Sequence, residues 1–362
     1  VFSHETEKFK ESLIDCLGIS KERVIEVPLG CEERNHEEIK TLLLGRLEKC
    51  AAISSIHLNY TGGTKTMVLA AYEAVVSFGR KCEALYSYLD PENFKLLTTK
   101  GDCFPCEKDL RFCVKPTVED IFRLHCIDMS THRPKGEVTP EYERLLADGS
   151  KITQLASKDF QDGLDQFEKE CNINKPEKIK EENKEKFIDV IKKYKIIEKS
   201  ECFDLSKCRN IYSIVGHSWI EQAVFYVLKK IKNENAQFGL GEILWSVEGI
   251  IKKPDGSRRF EIDVIALRGY QMYVFSCTSD DKVKMCKQKA LEVNYRAVQM
   301  GGEHAKSILV CLGENSTETA CLDDIQKDMA QFDAARNFSV IGRDCLSSNE
   351  KLENAIRGIL QK

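Results

Sequence analysis

Over residues 1–97 the chain alternates short β-type runs with amphipathic helical stretches, and no other feature of the sequence constrains its fold as tightly. The pattern predicts a helix over 5–17, a strand over 23–27, a helix over 37–52, a strand over 55–59, a helix over 67–78 and a strand over 82–88. Such a succession folds as an open parallel α/β sheet. Parallel crossovers are nearly always right-handed, so the loops that follow the strands gather at one edge of the sheet, where a ligand is expected.

One of those loops has a composition of its own. Leu58-Asn59-Tyr60-Thr61-Gly62-Gly63-Thr64-Lys65-Thr66-Met67 leaves a predicted strand and opens a predicted helix. Paired glycines let the backbone approach a ligand closely. The first helical N–H groups are unpaired donors, and Lys65 adds a positive charge at the positive end of the helix dipole. Together these features favour a phosphate. The spacing matches neither a Walker loop nor Gly-x-Gly-x-x-Gly, which weighs against a nucleotide-dependent oxidoreductase. A tight strand-to-helix turn without a ligand is the plainer alternative.

A length of 362 residues exceeds what one hydrophobic core usually organises and predicts two domains. Hydrophobic residues at 42% and charged residues at 31% fit a globular protein, and no run reaches the roughly 18 to 20 apolar residues of a membrane span. The net charge of -4 argues against a general polyanion binder held by bulk electrostatics but leaves room for a local basic groove. Cys16, Cys82, Cys277 and Cys311 fall on apolar strands and helices, so the cysteines read as reduced thiols of a cytoplasmic protein. Cys103 and Cys106, with Cys113 nearby, have the spacing of half a zinc site. No second pair follows, so surface and core thiols are the preferred reading.

Residues 116–209 lack the alternation and include a charge-dense stretch over 175–199, which predicts a solvated helix or linker. From residue 211 a third pattern begins, with a helix over 218–231, β-type runs over 241–251, 259–266 and 272–277, a helix over 284–300 and a strand over 306–312. It describes a mixed sheet flanked by helices. Within it, Glu261 and Asp263 alternate with Ile262 and so share one face of a strand. A solvent-exposed strand face explains that pairing equally well. Asp263, however, opens an apolar hairpin, and a carboxylate there needs a cation or hydrogen bonds. Glu221 stands at the start of the preceding helix. If the three converge, they are able to hold Mg²⁺ or Mn²⁺ and activate water against a phosphodiester.

The loop over 59–67, and with it roughly residues 1–100, resembles the signature loop of the CARF domains, Rossmann-like dimeric sensors of cyclic oligoadenylates in type III CRISPR antiviral defence. The resemblance implies that Thr61, Gly62, Gly63, Thr64 and Lys65 contact the ring, with Ser3 and Thr6 as further candidates. It also implies a homodimer with the ring on its twofold axis, cyclic tetra-adenylate as the activator, and a sheet that begins one strand before Val1. The C-terminal part resembles the PD-(D/E)xK restriction-endonuclease-like fold in the segments over 216–221, 261–264 and 295–302, and Glu221 and Asp263 match its helix glutamate and strand aspartate. Its acidic-x-lysine triplet is replaced here by Ser276-Cys277-Thr278. Lys282, Lys284, Lys287 and Lys289 follow within reach, and Lys282 and Lys287 are the candidates for a catalytic ammonium.

The combined expectation is a CARF sensor over 1–115, a helical, charge-rich connector over 116–209 and a nuclease domain over 210–362, with Glu221, Glu261 and Asp263 as metal ligands. Its substrate is RNA, single-stranded DNA or both. The alternative is a ligand-responsive nucleic-acid-binding regulator whose nuclease-like domain is degenerate.

Overall fold

The computed structural model describes residues 1–3, 6–30, 34–50, 53–79, 82–90, 93–98, 109–130, 149–197, 204–253, 256–315, 321–331 and 337–361. The protein is α/β, with a three-stranded and a six-stranded sheet. It divides into two compact units, one made of Val1–Asp128 and Ile251–Ser257, the other of Met129–Ile250 and Arg258–Lys362. No described helix is long and apolar enough to cross a membrane.

The first unit opens with a 3-10 turn, Glu7–Phe9, that leads into α1 (Lys10–Leu17). The helix α2 (His36–Leu47) starts at Asn35, whose side chain accepts the Glu38 N–H at 3.3 Å. The strand β1 (Ser55–Asn59), the helix α3 (Lys65–Phe78), and the strands β2 (Glu83–Asp90) and β3 (Lys95–Thr98) follow. β1 and β2 are parallel, with Asn59 opposite Ser87, and β3 returns antiparallel to β2. Ile39 and Ala70, from α2 and α3, are buried together with Leu29. The expected strand over 23–27 does not form. Lys21–Arg23 is a 3-10 turn, and the extended chain beyond it makes one bridge, Phe2 to Pro28. Proline has no N–H with which to extend a ladder. The unit also contains α4 (Val118–Leu124), capped by reciprocal hydrogen bonds between Thr117 and Asp120.

In the six-stranded sheet the order is sequential: β4 (Ile127–Met129), β5 (Leu240–Lys253), β6 (Gly256–Arg268), β7 (Gln271–Thr278), β8 (Lys306–Cys311) and β9 (Phe338–Ile341). β6 and β7 are antiparallel around the Gly269 turn, with Val264 opposite Phe275, while β8 and β9 are parallel to β7.

The helices of the second unit are α5 (Gly149–Ala156), α6 (Lys158–Cys171), α7 (Glu181–Lys193), α8 (Leu205–Ser213), α9 (Trp219–Glu234), α10 (Val283–Gly301), α11 (Cys321–Gln331) and α12 (Asn349–Gln361). Of the stretch 116–209, residues 116–128 fall in the first unit and the described residues from α5 onward in the second. The helices α5 to α8 bury Phe160, Phe167, Phe187, Ile191 and Tyr212 in the same core as α9 and the sheet. In the charged run, Phe187, Ile188 and Ile191 share one face of α7 and go inward while the lysines stay outside. The Tyr212 hydroxyl, buried in this core, donates to Glu168 at 2.7 Å, and both burial and that carboxylate push its ionisation up.

Opposite faces of the sheet serve opposite helices. Val264, Ala266, Tyr273, Phe275, Ile308 and Val310 belong to the core that includes α9. α10 packs on β7 and β8 through Cys286, Ala290, Val293 and Ala297.

Candidate functional site

In the first unit the glycine loop forms a ridge at the N-terminus of α3. The Asn59 side chain accepts the Thr61 N–H at 3.0 Å, and the Thr61 hydroxyl accepts the Leu89 N–H at 2.7 Å. These bonds fix the loop against the end of β2. Gly63 has φ +96, a conformation that side chains rarely adopt, and Thr64 then caps the helix by accepting the Met67 N–H at 3.2 Å. The first turn of α3 has no acidic side chain, so the positive end of its dipole is not neutralised from within.

Two hollows adjoin the ridge, and Tyr60, Gly63 and Val68 line both. One, of about 600 Å³, is lined by Thr6, Gly62, Gly63, Asn59, Phe2 and Lys10 among others. The second, of about 440 Å³, is lined by Tyr60, Gly63, Lys65, Val68, Leu69 and Tyr72. The structure thus places Thr6 with Gly62 and Gly63 in one hollow and Lys65 with Gly63 in the other. Ser3 is buried and turned back on the turn itself, its N–H donating to the Thr6 hydroxyl at 2.9 Å. Tyr60 and Tyr72 were not singled out in the sequence. The signal was present in the helical spacing that puts Val68, Leu69 and Tyr72 on the side of α3 reached from Lys65.

In the second unit the hairpin β6–β7 carries the candidate centre. Asp263 is mostly buried, and its Oδ2 accepts the Cys277 N–H at 2.6 Å. Loss of hydration pushes its carboxyl above the ordinary value, while the Cys277 N–H, Lys289 and the Ser276 hydroxyl pull it back. A small hollow brings together Glu261, Asp263, Ser276, Lys289, Glu292 and Arg296. Arg296 is held in place there: its guanidinium stacks on Phe260 at 4.4 Å and donates to Gln299 at 3.0 Å.

Glu261 is exposed and accepts a hydrogen bond from the Ser246 hydroxyl at 3.0 Å. Ser246 itself has φ +54, a strained conformation within β5 beside the site. Glu221 comes from the first turn of α9, directly after a π-helical turn at Ile214–Ser218. The Cys277 thiol lies in the field of both Asp263 and Glu221, and burial followed by these two charges pushes its ionisation up.

Two expected lysines are placed away from this hollow. Lys287 pairs with Asp328 of α11 at 2.7 Å, on another side of α10, and Lys282 occupies the N-cap position of that helix, outside the hollow. A one-residue step along a helix turns a side chain by about 100°, so proximity in sequence did not decide which lysine faces the strand. Lys289 does. Among the described residues no group of three or more His, Cys, Asp or Glu side chains is arranged to hold a metal ion, so Glu221, Glu261 and Asp263 do not make a ready cage. The described cysteines are free thiols, while Cys103 and Cys106 lie outside the described residues.

No protein-family model matches the chain, and no curated protein matches it. Solved structures do. Protein VC1899 from Vibrio cholerae aligns with TM-score 0.69 and 14% identity, over 99% of this chain and 90% of that one. Can2 from Sulfobacillus thermosulfidooxidans, solved in complex with cyclic tetra-adenylate, aligns with TM-score 0.64 and 14% identity, over 100% of this chain and 92% of that one. The chain shares their fold. Both alignments run through the residues of both units.

Proposed function

We propose that the protein is a nuclease effector of type III CRISPR defence, acting in the cytoplasm, in which a CARF-type first unit binds cyclic oligoadenylate and a PD-(D/E)xK-like second unit hydrolyses RNA or single-stranded DNA. The glycine ridge of the first unit carries this reading. It offers a phosphate the positive end of the α3 dipole, the Gly63 backbone and Lys65, and it offers bases the rings of Tyr60 and Tyr72 in the adjoining hollow. The shared fold with a structure solved around cyclic tetra-adenylate supports the same ligand class.

A ring read by one loop from each side calls for a twofold homodimer. In support, α3 leaves Leu69, Tyr72 and Val76 exposed as a stripe beside the ridge. Binding of one ring per two chains is expected.

In the second unit, Mg²⁺ or Mn²⁺ would be held by Asp263 with Glu221 or Glu261, its remaining positions filled by water and substrate oxygens. One or two protein carboxylates are the usual complement for Mg²⁺. The metal supplies Lewis-acid activation of water. The chain's own part is to fix Asp263 through the Cys277 N–H and to present the cations of α10 to the phosphodiester.

A second reading, a ligand-responsive nucleic-acid-binding regulator, is favoured by Ser276 and Thr278 standing where an acidic residue and a lysine serve cleavage in the fold it resembles. One assay separates the two. The full chain is incubated with single-stranded RNA and DNA, with and without cyclic tetra-adenylate, in Mg²⁺ or Mn²⁺. Cleavage that requires both activator and metal supports the nuclease. Tight binding with no cleavage under any condition selects the regulator.

A further inference from the structure

Hydrolysis of a phosphodiester builds negative charge on the non-bridging oxygens as the water oxygen bonds to phosphorus and the leaving oxygen departs. A cation held close to those oxygens lowers the barrier. The strand that borders Asp263 offers none, because Ser276 and Thr278 are neutral. Resting on the nuclease reading, we propose that the cation comes from the helix instead: Lys289 of α10 is the catalytic ammonium, with Arg296 as a fixed second positive charge.

Three observations carry the assignment. Lys289, Glu292 and Arg296 recur at helical spacing and line one hollow with Glu261, Asp263 and Ser276, so helix and strand meet across it. The neighbouring lysines are spent elsewhere or placed outside: Lys287 pairs with Asp328, and neither Lys282 at the helix cap nor the exposed Lys284 lines the hollow. Lys289 remains available: its contact with Glu292 is 3.8 Å long, and the two side chains are 45% and 53% exposed. Such a loose, hydrated ion pair yields readily to an incoming phosphate. Arg296 differs in kind. Stacked on Phe260 and bonded to Gln299, it is held in one orientation and so serves to position the substrate backbone.

The test uses the full chain with cyclic tetra-adenylate, Mn²⁺ and a labelled single-stranded substrate, comparing Lys289→Met, Lys289→Arg, Lys287→Ala and the pair Lys289→Met with Ser276→Lys. Lys289→Met is expected to lower kcat by about 10²- to 10³-fold with little change in KM, the usual cost of one lost transition-state stabiliser. Lys289→Arg should keep part of the rate, and Lys287→Ala all of it. A lysine at position 276, reaching the same hollow from the strand, should restore cleavage to Lys289→Met, an outcome no structural role for Lys289 would produce. Full activity in Lys289→Met overturns the assignment and leaves the nuclease standing. If the double variant fails to fold, a Lys289→Met loss that lies in KM alone, or that accompanies a lowered melting temperature shared by Lys289→Arg, overturns it as well. A wild-type protein that cuts neither substrate removes the nuclease reading and the assignment together.

Discussion

Gly249 of β5 lies against the ring of Phe260 on β6, and what happens when it gains a methyl group tests how rigidly the candidate centre is built. A Cβ at position 249 would stand 2.7 Å from Phe260 Cε1 and 2.9 Å from Cε2, with Cζ nearer still. The ring cannot swing away freely, since Phe260 is 7% exposed and carries the Arg296 guanidinium. Overpacking of this kind costs about 1 to 3 kcal/mol, which for a unit of this size lowers the melting temperature by about 2 to 12 °C. Gly249→Ala should also slow cleavage, because displacing the ring displaces Arg296 from the hollow around Asp263. Denaturant unfolding followed by tryptophan fluorescence is the suitable assay, because both tryptophans, Trp219 and Trp245, are buried in the second unit and report on it alone. Phe260→Leu removes the clashing atoms. The double variant should therefore be more stable than the sum of the single losses predicts, by about 1 kcal/mol or more. Strictly additive losses, or an unchanged midpoint in Gly249→Ala, would refute the account.

Burial raises the Asp263 carboxyl, so its folded-state value lies above its unfolded one, and the stability it contributes is lost as pH climbs from the ordinary carboxylate range through the raised value. Asp263→Asn should therefore melt higher than wild type near neutral pH, with the gap closing toward pH 4, while cleavage is abolished; a lower melting temperature at neutral pH would contradict this. Lys65→Ala should weaken cyclic tetra-adenylate binding by roughly 10- to 150-fold in calorimetry, the loss of one charge-assisted phosphate contact, without unfolding the first unit. Thr64→Ala removes the cap of α3 and should cost about 1 kcal/mol by circular dichroism melts. Lys287→Ala breaks a pair whose side chains are 31% and 44% exposed, so a stability change under about 1 kcal/mol is expected, measured by chemical denaturation.

Local chemistry in the sequence was enough to determine the strand–loop–helix unit around Gly62-Gly63. A five-residue β-type run, two glycines, a threonine cap and an amphipathic helix are all set within one stretch of chain, and β1 and α3 form there. Hydrophobic periodicity likewise marked α9 and α10, and the apolar runs of the β6–β7 hairpin marked two strands that are buried along most of their paired length. The strand expected over 23–27 failed because a strand exists only with a partner, and Pro28 leaves room for one bridge. The charged run over 175–199 read as solvated because its composition hid the spacing of Phe187, Ile188 and Ile191. Only the presence of α6 and α8 beside it gives that apolar face something to cover. At the candidate centre the sequence named Asp263 but could not choose among four lysines within eight residues of one another. That choice belongs to the rotation of α10 on the sheet, which is fixed by Cys286, Ala290, Val293 and Ala297 packing inward. The turn of the helix that buries these four is what sends Lys287 to Asp328 and Lys289 to Asp263, and it is settled by packing across the chain rather than by any local preference.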